Sequence, residues 1–282
     1  MLSTILYAAG CAGGHGGGAT PEDSAHVAAM AHEHAGDSPV ANAATAQPRQ
    51  EVRGEEVVYA TVGGKQIRGY MAYPAAAGAN AALPAILMVH EWWGLNENMR
   101  MMARRLAGEG YRTLAVDMYG GQVATDAQAA QRYMMEVMND RESGAANLAG
   151  AAAFLKQQQH APKIGTIGWC FGGGWSLQAG LRMPEQVDAV VMYYGQPVTD
   201  RAQLARLDAP LAGFFGLQDR GIPADSVRKM EQELKSLGKS VDIHFYDASH
   251  AFANPSGQAY NPQAAADAWT RTVAFFNRTL KS

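Results

Sequence analysis

The sequence is short of cysteine. Only Cys11 and Cys170 carry a thiol among 282 residues, and they fall in segments of different character, so no disulfide framework is expected. Charge is scarce too. Asp, Glu, Lys and Arg make up 17% of the chain, the formal net charge is −3, and nowhere do Lys and Arg gather densely enough to neutralise a row of phosphates. Nucleic acid is not an expected partner. No apolar run approaches the roughly 18 residues that a membrane-spanning helix needs, and no repeat of solenoid period is present. What is abundant is apolar surface: 48% of residues are hydrophobic, enough for one α/β domain with a complete core. No feature calls for a second subunit, and a monomer is expected.

The first 50 residues read differently from the rest. Leu6 to Cys11 ends in small residues before a cysteine and resembles the processing box of bacterial lipoproteins, although the apolar run is short and has no Lys or Arg at its start. Residues 1–11 are therefore expected to be the end of an export signal, lipid anchoring is expected at Cys11, and the cell envelope is the expected location. A cytoplasmic protein follows if that reading fails. Residues 12–50 are rich in Gly, Ala and His without apolar periodicity, and are expected to be a disordered linker. They hold His15, His26, Met30, His32 and His34, which could catch a transition metal. A solvated tail is the preferred reading, and neither a metal site nor a cofactor is expected.

From residue 51 onward the pattern is that of a catalytic α/β domain. Val57–Val62 and Gln66–Tyr73 alternate around Gly63-Gly64 as a hairpin, and Ala85–His90 is a continuous apolar run of the kind buried in a parallel sheet. Further strands are expected at Thr113–Val116, Ile164–Trp169, Ala189–Tyr194, Leu211–Gly216 and Ser240–Tyr246. Helices are expected over Asn98–Glu109, over two segments between Thr125 and Gln158 with a break near Ser143-Gly144, and over Pro262–Leu280. Strands alternating with helices give a mostly parallel sheet covered on both faces, with function beyond the carboxyl ends of the strands.

One such end carries the strongest motif. After Ile164–Ile167 comes Gly168-Trp169-Cys170-Phe171-Gly172 and then a helical segment, the strand-turn-helix context of a nucleophile elbow, where the residues two before and two after the nucleophile must be small. A sulfur at the amino end of a helix also favours the thiolate. Cys170 is the candidate nucleophile. In this fold an acid and then a histidine follow in chain order. Asp219 follows the strand Leu211–Gly216 and His250 follows Ser240–Tyr246, with Asp225 and Asp247 as alternatives for the acid. His244 lies inside a strand and His160 on the wrong side of the nucleophile. The loop after Ala85–His90 supplies the second oxyanion amide in this fold, which points to the amides of Trp92 and Phe171. Glu91, in the same loop, is costly to bury unless hydrogen-bonded and is expected to face the site.

These segments together resemble the dienelactone hydrolase family of the α/β-hydrolase superfamily. The resemblance spans about Glu55 to Leu280 and rests on His90-Glu91-Trp92-Trp93-Gly94, Asp117-Met118-Tyr119-Gly120, the cysteine elbow, Gly216-Leu217-Gln218-Asp219 and Ser249-His250-Ala251-Phe252. It implies an α/β-hydrolase fold, a triad of Cys170, His250 and Asp219, and a Glu91 that controls protonation of the thiol. Two departures stand out. Family members place arginines, which clamp a substrate carboxylate, where this chain has Gly121 and Asn254, and neither can replace a bidentate guanidinium. A neutral or aromatic ester or lactone is therefore the expected small-molecule substrate, received by Trp92, Trp93, Tyr119, Phe171, Phe252 and Asn254. Thioester hydrolysis or acyl transfer by the same residues, or a non-catalytic envelope binding protein, are the competing readings.

Overall fold

A computed structural model of the protein describes residues 18–34, 36–37, 47–77 and 81–282. Cys11 and His15 lie outside them, and with them the expected lipid-attachment site.

The hairpin expected around Gly63-Gly64 forms from β1 (Val52–Val62) and β2 (Lys65–Pro74), whose two glycines take positive φ in the turn. Six further strands follow: β3 (Ala85–Val89), β4 (Arg112–Val116), β5 (Ile164–Trp169), β6 (Ala189–Tyr193), β7 (Leu211–Gly216) and β8 (Val241–Tyr246). They make an eight-stranded sheet in the order β1-β2-β4-β3-β5-β6-β7-β8. It is parallel from β4 to β8, and β2 joins it antiparallel to β4. Every residue of β3 to β7 is buried. Alternate residues of a strand point to opposite faces, so both faces of the sheet are covered. This is the α/β-hydrolase architecture expected from the sequence.

The covering helices are α2 (Glu97–Gly108), α3 (Ala127–Asn139), α4 (Arg141–Ala153), α5 (Phe171–Arg182), α6 (Arg201–Leu204), α7 (Ala224–Ser236) and α8 (Pro262–Leu280). The break between α3 and α4 falls at Asp140, earlier than expected. Asp140 closes α3 and caps α4, its carboxylate accepting the Ser143 amide at 3.1 Å. Gly144 lies inside α4 instead, where a Cβ would stand 2.6 Å from the Trp175 ring. That glycine serves helix packing rather than chain reversal.

The linker expectation is also corrected. Pro21–Glu33 is a helix, α1, that precedes the sheet. Its start is well specified: the Thr20 hydroxyl accepts the Asp23 amide at 3.1 Å, the Asp23 carboxylate accepts the Thr20 amide at 2.8 Å, and Pro21 occupies the first turn. Val27 and Met30, one turn apart, are fully buried. Local capping and two buried side chains suffice because the helix leans on a surface that is already formed.

Candidate active site

β3 and β5 are neighbours, with Val89 opposite Gly168, and β7 and β8 are neighbours, with Gly216 opposite Tyr246. Register alone therefore brings the Glu91 loop beside the turn after β5, and the Asp219 turn beside the His250 loop. Cys170 sits between β5 and α5 with φ of 54° and ψ of −120°. That backbone region is costly for a residue with a Cβ and is held only where the surroundings enforce it. Here the Cys170 amide donates to the Tyr193 carbonyl at 3.0 Å and its carbonyl accepts the Gly173 amide at 3.0 Å. A Cβ on Gly168 would run into the Gly172 carbonyl, and one on Gly172 into the carbonyls of Val89 and His90. Both glycines are thus forced by backbone approach. Gly172→Ala is expected to destabilise the fold by about 3 kcal/mol, because neither strand carbonyl can yield; the shift of the urea midpoint measures it.

Asp219 and His250 lie at the ends of β7 and β8 and meet. The Asp219 carboxylate accepts the His250 Nδ1–H at 2.6 Å and, through its other oxygen, the amides of Gly221 at 2.9 Å and Ile222 at 2.8 Å. Three donors fix the carboxylate, and the carboxylate fixes the ring. The Nε2 of His250 then has no hydrogen-bond partner among the described residues and lies within 4.8 Å of the Cys170 sulfur. The alternatives do otherwise: Asp225 pairs with Arg228 and Asp247 accepts from Gln218, both in exposed positions.

A second imidazole reaches the sulfur. His34, just past the end of α1, brings Nε2 to 3.7 Å from Cys170 Sγ while its Nδ1 is 2.9 Å from the Asp37 carboxylate. Met30 places its sulfur 3.4 Å from the same Sγ. The His34 ring stacks on Trp92 at 5.6 Å and meets His250 edge-on at 5.6 Å. This segment is tied down at both ends. Asp23 pairs with Arg141 and the Ala19 amide donates to Asn139, while Asp37 and Gly36 accept from Gln258. Cys170 is left 2% exposed. The sequence did not assign Met30, His34 or Asp37 to the site; the signal that could have done so is the Thr20-Pro21-Glu22-Asp23 capping sequence.

The charges at the sulfur are mutually dependent. Burial alone would push the Cys170 thiol up, but the His250 and His34 imidazoliums beside it prevail and bring it down to about 6. Burial opposes a charge on His250, yet the Cys170 thiolate and the Asp219 carboxylate hold it well above the usual imidazole range. The same contest raises His34 to about 9, through Asp37 and Cys170. The thiolate also stands at the amino end of α5, whose partial positive charge favours it.

Glu91 is buried and its Oε1 accepts the Asn254 side-chain amide at 2.9 Å. Burial pushes its carboxyl up to about 7. Asn254, which the sequence placed in the substrate pocket, is buried with its side-chain amide on Glu91. Gly121 has open space around its α-carbon, so no side chain reaches from there. Of the two expected oxyanion positions, Trp92 lies in a Glu91–Gly94 turn closed by the Gly94 amide on the Glu91 carbonyl, its own carbonyl accepting the Tyr119 hydroxyl at 3.3 Å, and Phe171 heads α5, where an amide has no acceptor within the helix. His90 accepts the Met118 amide at Nε2 (3.1 Å) and donates from Nδ1 to the Glu91 carbonyl (2.8 Å), a neutral ring that buttresses this loop. The expected aromatic mouth is closed: Trp93, Tyr119 and Phe252 are all buried, Tyr119 against His90 and Phe171 and Phe252 against Tyr194. A cavity of about 450 Å³ lies alongside, between α1, α4 and α5, and reaches Phe171.

Comparison with known proteins is consistent with this geometry. The sequence profile described as "Dienelactone hydrolase family" matches residues 67–280. The chain belongs to the dienelactone hydrolase family. A protein of Aquifex aeolicus whose name assigns it provisionally to the carboxymethylenebutenolidases is 31% identical over 226 residues, covering 77% of this chain and 96% of that one. A Synechocystis protein named in the same way is 31% identical over 234 residues, covering 77% and 93%. A crystal structure from Klebsiella pneumoniae, described provisionally as a dienelactone hydrolase, superimposes with a TM-score of 0.72 at 27% identity, covering 81% of this chain and all of that one. As a member of the dienelactone hydrolase family the protein is a hydrolase of ester or lactone bonds.

Proposed function

We propose that the protein hydrolyses small neutral or aromatic esters or lactones through an acyl-cysteine on Cys170. The observation that carries the reading is a cysteine held at a strained turn with the Asp219–His250 pair beside it. The Cys170 thiolate attacks the substrate carbonyl, and the developing oxyanion is received by the amides of Phe171 and Trp92. As the tetrahedral species collapses, the His250 imidazolium gives its proton to the leaving oxygen, and the alcohol departs. The neutral ring then takes a proton from water, the hydroxide attacks the acyl-cysteine, and the acid leaves with the thiolate restored. Asp219 holds His250 in the tautomer this needs. Glu91, near its own titration point, adjusts the charge around the sulfur.

The substrate class follows from what stands at two positions. Gly121 offers no side chain and Asn254 is committed to Glu91, so no guanidinium clamps a substrate carboxylate from either place. On a panel of purified substrates, kcat/KM for neutral aryl esters is expected to exceed that for muconate-type lactones by at least about tenfold, the loss that one missing charge-assisted hydrogen bond produces. A preference for the acidic lactones contradicts the substrate reading. Attachment of a lipid at Cys11 belongs to the same proposal, and metabolic labelling with a radioactive fatty acid, absent in Cys11→Ser, tests it.

A further inference from the structure

The catalytic reading uses one imidazole, yet two converge on the sulfur, each in the same manner. The Nδ1 of His250 is engaged by Asp219 and the Nδ1 of His34 by Asp37, at 2.6 Å and 2.9 Å, so both rings present Nε2 to Cys170. A carboxylate on the far nitrogen is the usual support of a metal-bound histidine, because it fixes both tautomer and orientation. The donor atoms of His34, Cys170 and His250 lie within 4.8 Å of one another, and the Met30 thioether adds a fourth at 3.4 Å from the Cys170 sulfur. A cation with bonds of about 2.0 to 2.3 Å sets its ligands about 3.3 to 3.8 Å apart. The separations from Cys170 to His34 and to Met30 fall in that range. The buried Nε2 of His250, with no hydrogen-bond partner among the described residues, is aimed into the cluster.

We propose that Cys170, His250, His34 and Met30 form a closed binding site for Cu(I). The donor set selects the ion: the thiolate and the thioether are soft ligands that favour a d¹⁰ monovalent cation, the two imidazoles suit copper as well, and a thioether adds little for a harder divalent ion. Binding needs no change of oxidation state. As Cu(I) binds, a Cys170 thiol gives up its proton or a thiolate binds directly, and the His250 and His34 imidazoliums each release the Nε2 proton to solvent so that the nitrogen can form its bond to the ion. Two of the four ligands come from the α1 segment and two from the strand ends, so the ion fastens α1 over the site. It would also occupy the nucleophile. This last consequence rests on the hydrolase reading, whereas the metal site itself does not.

The test is an anaerobic titration of the reduced, full-length protein with Cu(I) in competition with a chromogenic Cu(I) chelator. One tightly held ion per chain is expected, unchanged in Cys11→Ser and lost in Cys170→Ser. Affinity should fall at least tenfold in Met30→Leu and about a hundredfold in His34→Gln. X-ray absorption of the loaded wild type should show two sulfur and two nitrogen neighbours, a readout that does not depend on how any variant folds. Affinity within twofold of wild type in His34→Gln, or a copper shell without sulfur, would overturn the proposal. Ester turnover of the metal-free protein, measured in parallel, reports on the hydrolase reading separately.

Discussion

Cys170→Ala is expected to lower kcat/KM for every hydrolysed ester by at least about a thousandfold, with the fold retained. The size follows from the role proposed for the sulfur: without it no acyl-enzyme could form, and only the stabilisation proposed for the Phe171 and Trp92 amides would remain to assist attack by water. The fold should survive because the strain at this turn comes from backbone approach, at Gly168 and Gly172, rather than from the thiol. Alanine also removes the negative partner of two imidazoliums. His250 and His34 should then lose part of what keeps them protonated, since Cys170 is among the groups that raise both. Progress curves on an activated ester give the rate ratio, and circular dichroism gives the control. A residual rate above about a tenth of wild type would mean that the chemistry lies elsewhere.

The second large effect concerns α1. Met30 and His34 fill the space in front of the sulfur, and a substrate carbonyl must take that space. Under the proposed mechanism, hydrolysis is therefore expected only from molecules in which α1 has lifted. Met30→Gly removes a fully buried methionine, about 2 kcal/mol of apolar burial, and places glycine inside a helix at a cost of about 1 kcal/mol. A helix of 13 residues is only marginally stable once undocked, so both costs fall on the closed state and shift it by about 3 kcal/mol relative to the open one, about a hundredfold in the population able to bind substrate. Ester kcat/KM and the rate of Cys170 alkylation, read on its own peptide by mass spectrometry, should both rise by up to that factor. Agreement of the two rises identifies opening as the shared step. An alkylation rate equal to wild type would show that α1 does not gate the sulfur. The rest of the molecule should respond little, because Met30 and Val27 are the only buried apolar residues of the helix.

How much of this was legible in the sequence depends on how local the cause is. The strands from Ala85 to Gly216 read correctly because they are apolar runs buried on both faces, and the turn after β5 read correctly because glycines at 168 and 172 answer a backbone clash that is itself local. Asp219 and His250 could be named from strand-end position and order, and the pairing of β7 with β8 does bring them together. The N-terminal segment was illegible for the opposite reason. With Ala, His and acidic residues dominating and only Val27 and Met30 buried, α1 has too little apolar periodicity to announce a face, and the partners of its segment lie far away in sequence, from Trp92 to Gln258. The partner of Asn254 was hidden in a similar way. It stands at a substrate-facing position of the family, but nothing in its neighbours signals that Glu91, from the β3 loop, takes up its amide. The Ser143-Gly144 pair looks like a helix break and is a packing notch, because the ring that needs the notch, Trp175, comes from another helix.

The central claim is that Cys170 carries the acyl group. Rapid quenching of the protein with an activated aryl ester, followed by peptide-resolved mass spectrometry, tests it most directly. The account predicts a burst of alcohol release and a thioester mass increment on the Cys170 peptide, absent in Cys170→Ser at that mass and longer-lived in His250→Ala. Full turnover with no adduct on that peptide at any quench time, or an adduct on another side chain, would contradict it.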